Sequence, residues 1–256
     1  MENNPHRLLL TGDDFGRSPE INAAIERWHR AGALTQASLM VNETHAAEAV
    51  DIARRNPALR VGLHLALCEG RASDGSAMVR SPALAGLRFV FFPGARAWLR
   101  REISAQFEKF RQLGFGPAYW DGHTHLHLHP VVLALTIPVA AAHGFHFTRL
   151  VREPCDGKSA RGFLTRVFSI LSARAAPKLR AAGIGFADAV FGLRKSGRMD
   201  LDEVRRAVKH AVTWTVEIYF HPGAESVLTH SEEVAAVVVQ PWRATLPRGT
   251  PPRIAG

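Results

Sequence analysis

Short apolar or β-branched runs alternate with longer helix-patterned stretches along most of the chain, and this alternation limits the possible folds more than any other feature. Leu8 to Thr11 precedes a helical pattern at Pro19 to Arg30, Gln36 to Val41 precedes His45 to Arg55, and Leu59 to Leu67 precedes Ala95 to Gln112. Ala118 to Asp121 then precedes Val131 to Ala142, Phe147 to Val151 precedes Gly162 to Ala173, and Phe186 to Phe191 precedes Leu201 to Val212. The last strand is expected at Thr215 to Phe220. Such repeats give a mostly parallel sheet with right-handed crossovers. About seven of them predict an α/β fold, a TIM-barrel-like (β/α) barrel that is distorted or incomplete, with a doubly wound open sheet as the alternative.

A length of 256 residues suits a single domain of this kind. Ser18-Pro19-Glu20 supplies an N-cap and a first-turn proline, and Gly32 closes that helix. The domain is expected over residues 1–240. Beyond it, Pro241, Pro247, Pro251 and Pro252 with three arginines and no apolar period predict a disordered tail over 241–256.

No stretch approaches the roughly 18 apolar residues that a membrane-spanning helix needs. Met1-Glu2-Asn3-Asn4 leads directly into Leu8-Leu9-Leu10 without a signal-peptide pattern, so a cytoplasmic location is expected. Cys68 and Cys155 lie far apart and read as free thiols. A net charge of +9 attracts polyanions, which means nucleic acid, anionic lipid or simply a basic solubility coat. With no nucleic-acid-binding motif in the chain, nucleic acid is not the expected partner. Nothing in the composition sets an oligomeric state.

The chemistry gathers at strand ends. Asp13-Asp14-Phe15-Gly16 follows the first strand, at the carboxyl end where sites of parallel α/β folds assemble, although Asp and Gly also make ordinary solvated turns. His64 sits inside the apolar third strand, where a hydrogen-bonded core histidine is the plainer alternative. The segment Asp121-Gly122-His123-Thr124-His125-Leu126-His127-Leu128-His129-Pro130 places four of the chain's 13 histidines at alternate positions. If extended, it would turn all four imidazoles to one face, which suits a metal or a polar pocket better than packing. One Asp and two His would satisfy a catalytic divalent site. His221 ends the last strand, and Arg149 ends the fifth, where it can orient Asp13, bind substrate or simply lie on the surface. Acids and imidazoles from several strand ends would converge on one barrel face.

These residues resemble the YdjC-like carbohydrate deacetylases through Asp13-Asp14-Phe15-Gly16, Gly62-Leu63-His64-Leu65, Asp121-Gly122-His123-Thr124-His125 and His221-Pro222-Gly223. The chain is most similar to the hopanoid-biosynthesis-associated deacetylases, through Ser18-Pro19-Glu20-Ile21-Asn22-Ala23-Ala24, Ala37-Ser38-Leu39-Met40-Val41 and Glu217-Ile218-Tyr219-Phe220-His221-Pro222. The resemblance implies a TIM-barrel-like hydrolase that removes the acetyl group from an N-acetylated amino sugar. It also implies one divalent metal ion held by Asp14, His64 and His123, with Asp13 as general base and His221 as general acid. Asp13 and Asp14 can exchange roles, and His125 is the second candidate acid. His127 and His129 would orient the ligand imidazoles. Magnesium or zinc is the expected ion, with manganese and cobalt also compatible.

Two departures from the family stand out: glycine at 122, where members often have serine, and the proline-rich end after Gln240 in place of a final helix. Between Lys158 and Ala187 there are six Lys or Arg and no acid, with Phe163, Leu164, Val167, Phe168, Ile170 and Leu171 at helical spacing. This basic amphipathic helix near 162–180 either covers the sheet or touches anionic lipid at the inner face of the membrane. The expected substrate is accordingly an N-acetylglucosaminyl hopanoid glycolipid, with soluble chito-oligosaccharides as the alternative.

Overall fold

The computed structural model describes residues 8–154, 162–211, 215–223 and 231–245. Its elements run β1 (Leu8–Phe15), α1 (Pro19–Arg30), β2 (Gln36–Leu39), α2 (Ala46–Arg55), β3 (Arg60–Leu65), α3 (Pro82–Phe91) and α4 (Pro93–Gln112). Then follow β4 (Trp120–Gly122), a 3-10 turn (His123–Leu128), α5 (Pro130–Ala142), α6 (Phe163–Ala181), β5 (Ala189–Phe191), α7 (Leu201–His210), β6 (Val216–Phe220) and α8 (Ser231–Thr245). The six strands are all parallel, in the order β4-β3-β2-β1-β6-β5. They form a curled half-barrel flanked by helices, the distorted TIM-barrel-like domain expected from the alternation.

The expected fifth strand, Phe147 to Val151, joins no ladder. Single bridges pair Thr148 with Trp120 and Phe147 with Gly185, and the Val190 amide donates to the Arg152 carbonyl. This segment therefore spans the gap between β4 and β5 by isolated hydrogen bonds. The helix expected over 95–112 begins earlier, at Pro93, and is preceded by α3, which the pattern did not reveal. α8 continues to Thr245, five residues past the expected end of the domain; residues 246–256 and Cys155 lie outside the described residues.

Local chemistry explains the boundaries. Ser18 Oγ accepts from the Ile21 amide at the start of α1, and Gly32 follows its end with φ of 81°. Ser81 and Pro82 start α3 in the same way, with Ser81 Oγ accepting from the Leu84 amide.

The two faces of the sheet differ. Leu63, Trp120, Phe191, Val216, Ile218 and Phe220 lie in the apolar core that the helices cover. Residues in alternate register, among them Thr11, Asp13, Gln36, Ser38, His64, Asp121, Glu217 and Tyr219, are also buried but polar. Gly62 makes room among them: an added Cβ would lie 2.4 Å from the Tyr119 ring.

Candidate functional site

Consecutive residues of a regular strand point to opposite faces, so Asp13 and Asp14 need a local irregularity to reach one site. The register between β1 and β2 shifts after Gly12, so that two residues, Asp13 and Asp14, stand opposite Ser38 alone. Asp14 adopts φ of 63°, an uncommon left-handed conformation that an aspartate tolerates better than most residues. Arg17 Nη1 donates to Asp14 Oδ2 at 2.9 Å and steadies it.

His64 and Asp121 are register partners on β3 and β4, and His64 Nδ1 meets Asp121 Oδ1 at 2.7 Å. His64 Nε2 is thereby turned toward Asp14 Oδ1, 3.4 Å away, while His123 Nδ1 lies 2.9 Å from the same oxygen. Asp14, His64 and His123 are all buried, and one donor atom from each lies within 4.8 Å of the others. Asp14 Oδ1 is buried between these two imidazole nitrogens without a well-directed hydrogen bond to either, as expected of an oxygen aimed at a cation. Two imidazole nitrogens and a carboxylate suit a first-row divalent ion, and an acid behind a ligand histidine, as Asp121 stands behind His64, is the usual support for such a site. These three residues fit a metal ion. Asp13, His64 and Asp121 form an overlapping second group of the same type.

Arg149 organises the other half. It is 1% exposed, donates through Nη1 and Nη2 to both oxygens of Asp13 at 2.7 and 2.8 Å, and donates through Nε to Glu217 Oε1 at 2.9 Å. Its Nη2 also lies 2.9 Å from Asp121 Oδ2, and its guanidinium covers the Tyr219 ring at 4.5 Å. The buried carboxylates Asp13, Asp14, Asp121 and Glu217 outnumber this one fully buried guanidinium, an excess of negative charge that a divalent cation would offset.

The electrostatics agree. Burial alone would depress the His64 imidazolium, but Asp121 and Asp14 outweigh it and push the group up to about 10. Burial opposes ionisation of Asp14, yet His123 and His64 hold its carboxyl well below the usual carboxylate range. Burial pushes the Glu217 carboxyl up, against the pull of Arg149. The surroundings that would keep a proton on His64 equally favour a cation between these side chains.

The histidine segment is not extended. Thr124 and His125 have φ of 54° and 59°, and the chain coils into a 3-10 turn that sends its imidazoles in different directions. His123 meets Asp14, and Glu69 Oε2 lies 3.6 Å from its Nε2. His125 Nε2 lies 3.0 Å from the Tyr219 hydroxyl, with Phe168 of α6 edge-on to the ring. His127 Nε2 donates to the Arg149 carbonyl at 2.9 Å, and His129 packs against Phe89 of α3. The single-face expectation fails because two consecutive left-handed residues break the period of two that it assumed. Gly122 fits the coil, since a Cβ there would stand 2.8 Å from His127 Nδ1. Burial lowers the His125 imidazolium first, and the Arg149 charge lowers it further.

His221, at the end of β6, lies edge-on to Tyr219 at 5.8 Å. The structure thus brings Asp13, Asp14, His64, His123 and Arg149 into one cluster, with His125 and His221 each edge-on to the Tyr219 ring. His127 bonds to the Arg149 carbonyl and stands close enough to Asp121 to share its field, and His129 packs toward α3. Glu217, Tyr219 and the supporting contacts of Asp121 were not singled out from the sequence. Their signal was a polar side chain at every second position of β6, Glu217, Tyr219 and then His221.

A protein named carbohydrate deacetylase from Mus musculus is 34% identical over 249 residues, covering 86% of this chain and 79% of that one. Its namesake from Homo sapiens is 34% identical over 247 residues, covering 86% and 76%. A crystal structure of an Enterococcus faecalis protein, linked in name to cellobiose-phosphate cleavage, superposes with a TM-score of 0.63 at 18% identity over 93% of this chain and 92% of that one, a likeness of fold. The model of the YdjC-like proteins matches residues 7–246, and the chain belongs to that family.

Proposed function

We propose that this protein is a metal-dependent N-deacetylase that removes the acetyl group from an acetylated amino sugar. The observation that carries the reading is the buried Asp14–His64–His123 group beside the Arg149-bound Asp13, in a chain whose relatives are named carbohydrate deacetylases. A divalent ion there, zinc or magnesium, would activate water and polarise the acetamide carbonyl.

The chain's own residues supply the proton steps. Asp13 takes the proton of the attacking water as general base, held in place by the two-pronged contact with Arg149. Asp121 keeps the His64 ring oriented through Nδ1. Amide cleavage also needs a proton on the departing amine, and His221 delivers it, with His125 as the second candidate beside the same Tyr219 ring. The exposed first turns of α6 and the resemblance to hopanoid-associated enzymes favour an N-acetylglucosaminyl lipid, presented by the inner face of a membrane, over a soluble chito-oligosaccharide.

The test is acetate release from both substrates by metal-loaded wild type beside His123→Ala and Asp13→Asn. Release that both substitutions abolish supports the deacetylase, and the preferred substrate chooses between lipid and oligosaccharide. No release from either substrate sinks the reading.

A further inference from the structure

Among the described residues, the large hydrophobic side chains that stand exposed are Leu84, Leu87, Val90, Phe91 and Phe92 on and just after α3, and Phe163, Leu164 and Ile170 on α6. Phe91 is 69% exposed and Phe163 80%. α3 differs from an ordinary surface helix in carrying a single charge, Arg88, and apolar side chains on both faces: Ala85, Gly86 and Phe89 are buried, while Leu84, Leu87, Val90 and Phe91 are exposed. A helix of that kind needs cover on both sides, and the fold covers one.

What surrounds this face indicates what covers it. From Gly75 to Arg101 the chain carries five arginines, Arg80, Arg88, Arg96, Arg100 and Arg101, all exposed, and no acid. α6 repeats the combination: from Phe163 to Ala187 it offers Arg166, Arg174, Lys178 and Arg180, again exposed and without an acid. Apart from the exposed Asp74, which stands near Arg101, the charges along these two segments are cations, and apolar side chains flanked in this way match a layer with a hydrocarbon interior and a negative surface. Both helices also border the histidine turn, α3 through Phe89 against His129 and α6 through Phe168 against His125.

We infer that α3 is a membrane-docking helix: Leu84, Leu87, Val90, Phe91 and Phe92 enter an anionic phospholipid bilayer while the flanking arginines bind its headgroups, with α6, which borders the same histidine turn, as the second contact. The inference builds on the proposed lipid-borne substrate but assigns the main contact to α3, and it is read out without any substrate.

Full-length protein is sedimented with phosphatidylcholine vesicles and with mixed phosphatidylcholine–phosphatidylglycerol vesicles, beside the double variant Leu87→Ser, Phe91→Ser. Both positions are exposed, so the variant should keep the wild-type circular dichroism. Wild type is expected to pellet with the mixed vesicles at low salt and to be released by salt. The double variant should partition about a hundredfold less, because each of the two inserted side chains is worth about a decade of binding. Wild type left in the supernatant, or a double variant that binds equally well, overturns the inference. So does a wild-type dimer that the two substitutions dissociate while neither protein binds vesicles, since the face would then join two copies of the chain. Vesicle binding without hydrolysis of the glycolipid leaves α3 as the docking helix and removes the lipid substrate. Hydrolysis of detergent-dispersed glycolipid without vesicle binding does the reverse.

Discussion

On the helix side of the strands, Leu63, Trp120, Ile218 and Phe220 belong to one continuous apolar core, whereas the inner side of the same strands carries His64, Asp121, Glu217 and Tyr219. The outer residues are held by contact area, which is non-directional, so any well-filling apolar side chain serves. Each inner residue is held by a named partner: His64 by Asp121, Asp13 and Glu217 by Arg149, and Thr11 Oγ1 by Glu217 Oε1 at 2.9 Å. Burying such a network earns little stability by itself. A protein that fills its barrel interior with four carboxylates and one guanidinium is therefore spending that interior on chemistry.

The contrast can be broken at either face. Arg149→Met leaves Asp13, Asp121 and Glu217 buried without their cation and is expected to cost about 3–5 kcal/mol in urea unfolding, together with nearly all activity. Phe107→Ala, in the apolar layer, is expected to cost a similar 3–5 kcal/mol or so through the cavity it leaves, with activity per folded molecule retained. If Phe107→Ala also removed activity from the folded fraction, the two faces would not be separable. Asp121→Asn sharpens the comparison further: it weakens the support of His64 Nδ1 and is expected to lower metal affinity by about 10–100-fold in calorimetric titration. Unchanged affinity would mean that the inner network is not organised around a metal.

A smaller effect is expected where the inner face meets the histidine turn. Gly122→Ala puts a Cβ 2.8 Å from His127 Nδ1 and 2.9 Å from His127 Cβ, too close to stay without a backbone shift. The expected loss is about 1–3 kcal/mol. A neutral result would show that the turn repacks freely and that its two left-handed residues are not tightly determined.

The same two faces account for what could be read from the chain beforehand. Six of the seven expected strands, their parallel order and the strand-end acids follow from periodicity and from where sites form in such folds, so the curled sheet and the neighbourhood of Asp13, Asp14 and His64 were accessible. Arg149 was placed at a strand end, but its burial was not legible, because only the fold brings three carboxylates around it. The histidine segment was misread, since its alternation imitates a strand while Thr124 and His125 turn left-handed. α3 carried the same Ser-Pro start as α1 but no clear amphipathic period, because apart from Arg88 its outer face is as apolar as its inner one. A helix whose second cover lies outside the chain leaves no helical stripe to recognise.

His127 gives the finest test of how dry the inner face is. Burial lowers its imidazolium to about 4, so the ring is neutral in the folded protein and donates its Nε2 hydrogen to the Arg149 carbonyl. In the unfolded chain the same group titrates near 6.5. Between those values the unfolded state binds the extra proton, so the stability contributed by neutral His127 is complete above about 6.5 and is lost as pH falls toward 4. Going from pH 7 to 5.5, this one group should cost wild type about 1 kcal/mol in urea-derived stability. His127→Gln can still donate to the Arg149 carbonyl but cannot titrate, and its stability should fall less than that of wild type over the same interval. Equal falls would mean that water reaches His127 in the folded state, and that the interior holding Arg149 and its carboxylates is not sealed on the side of the turn.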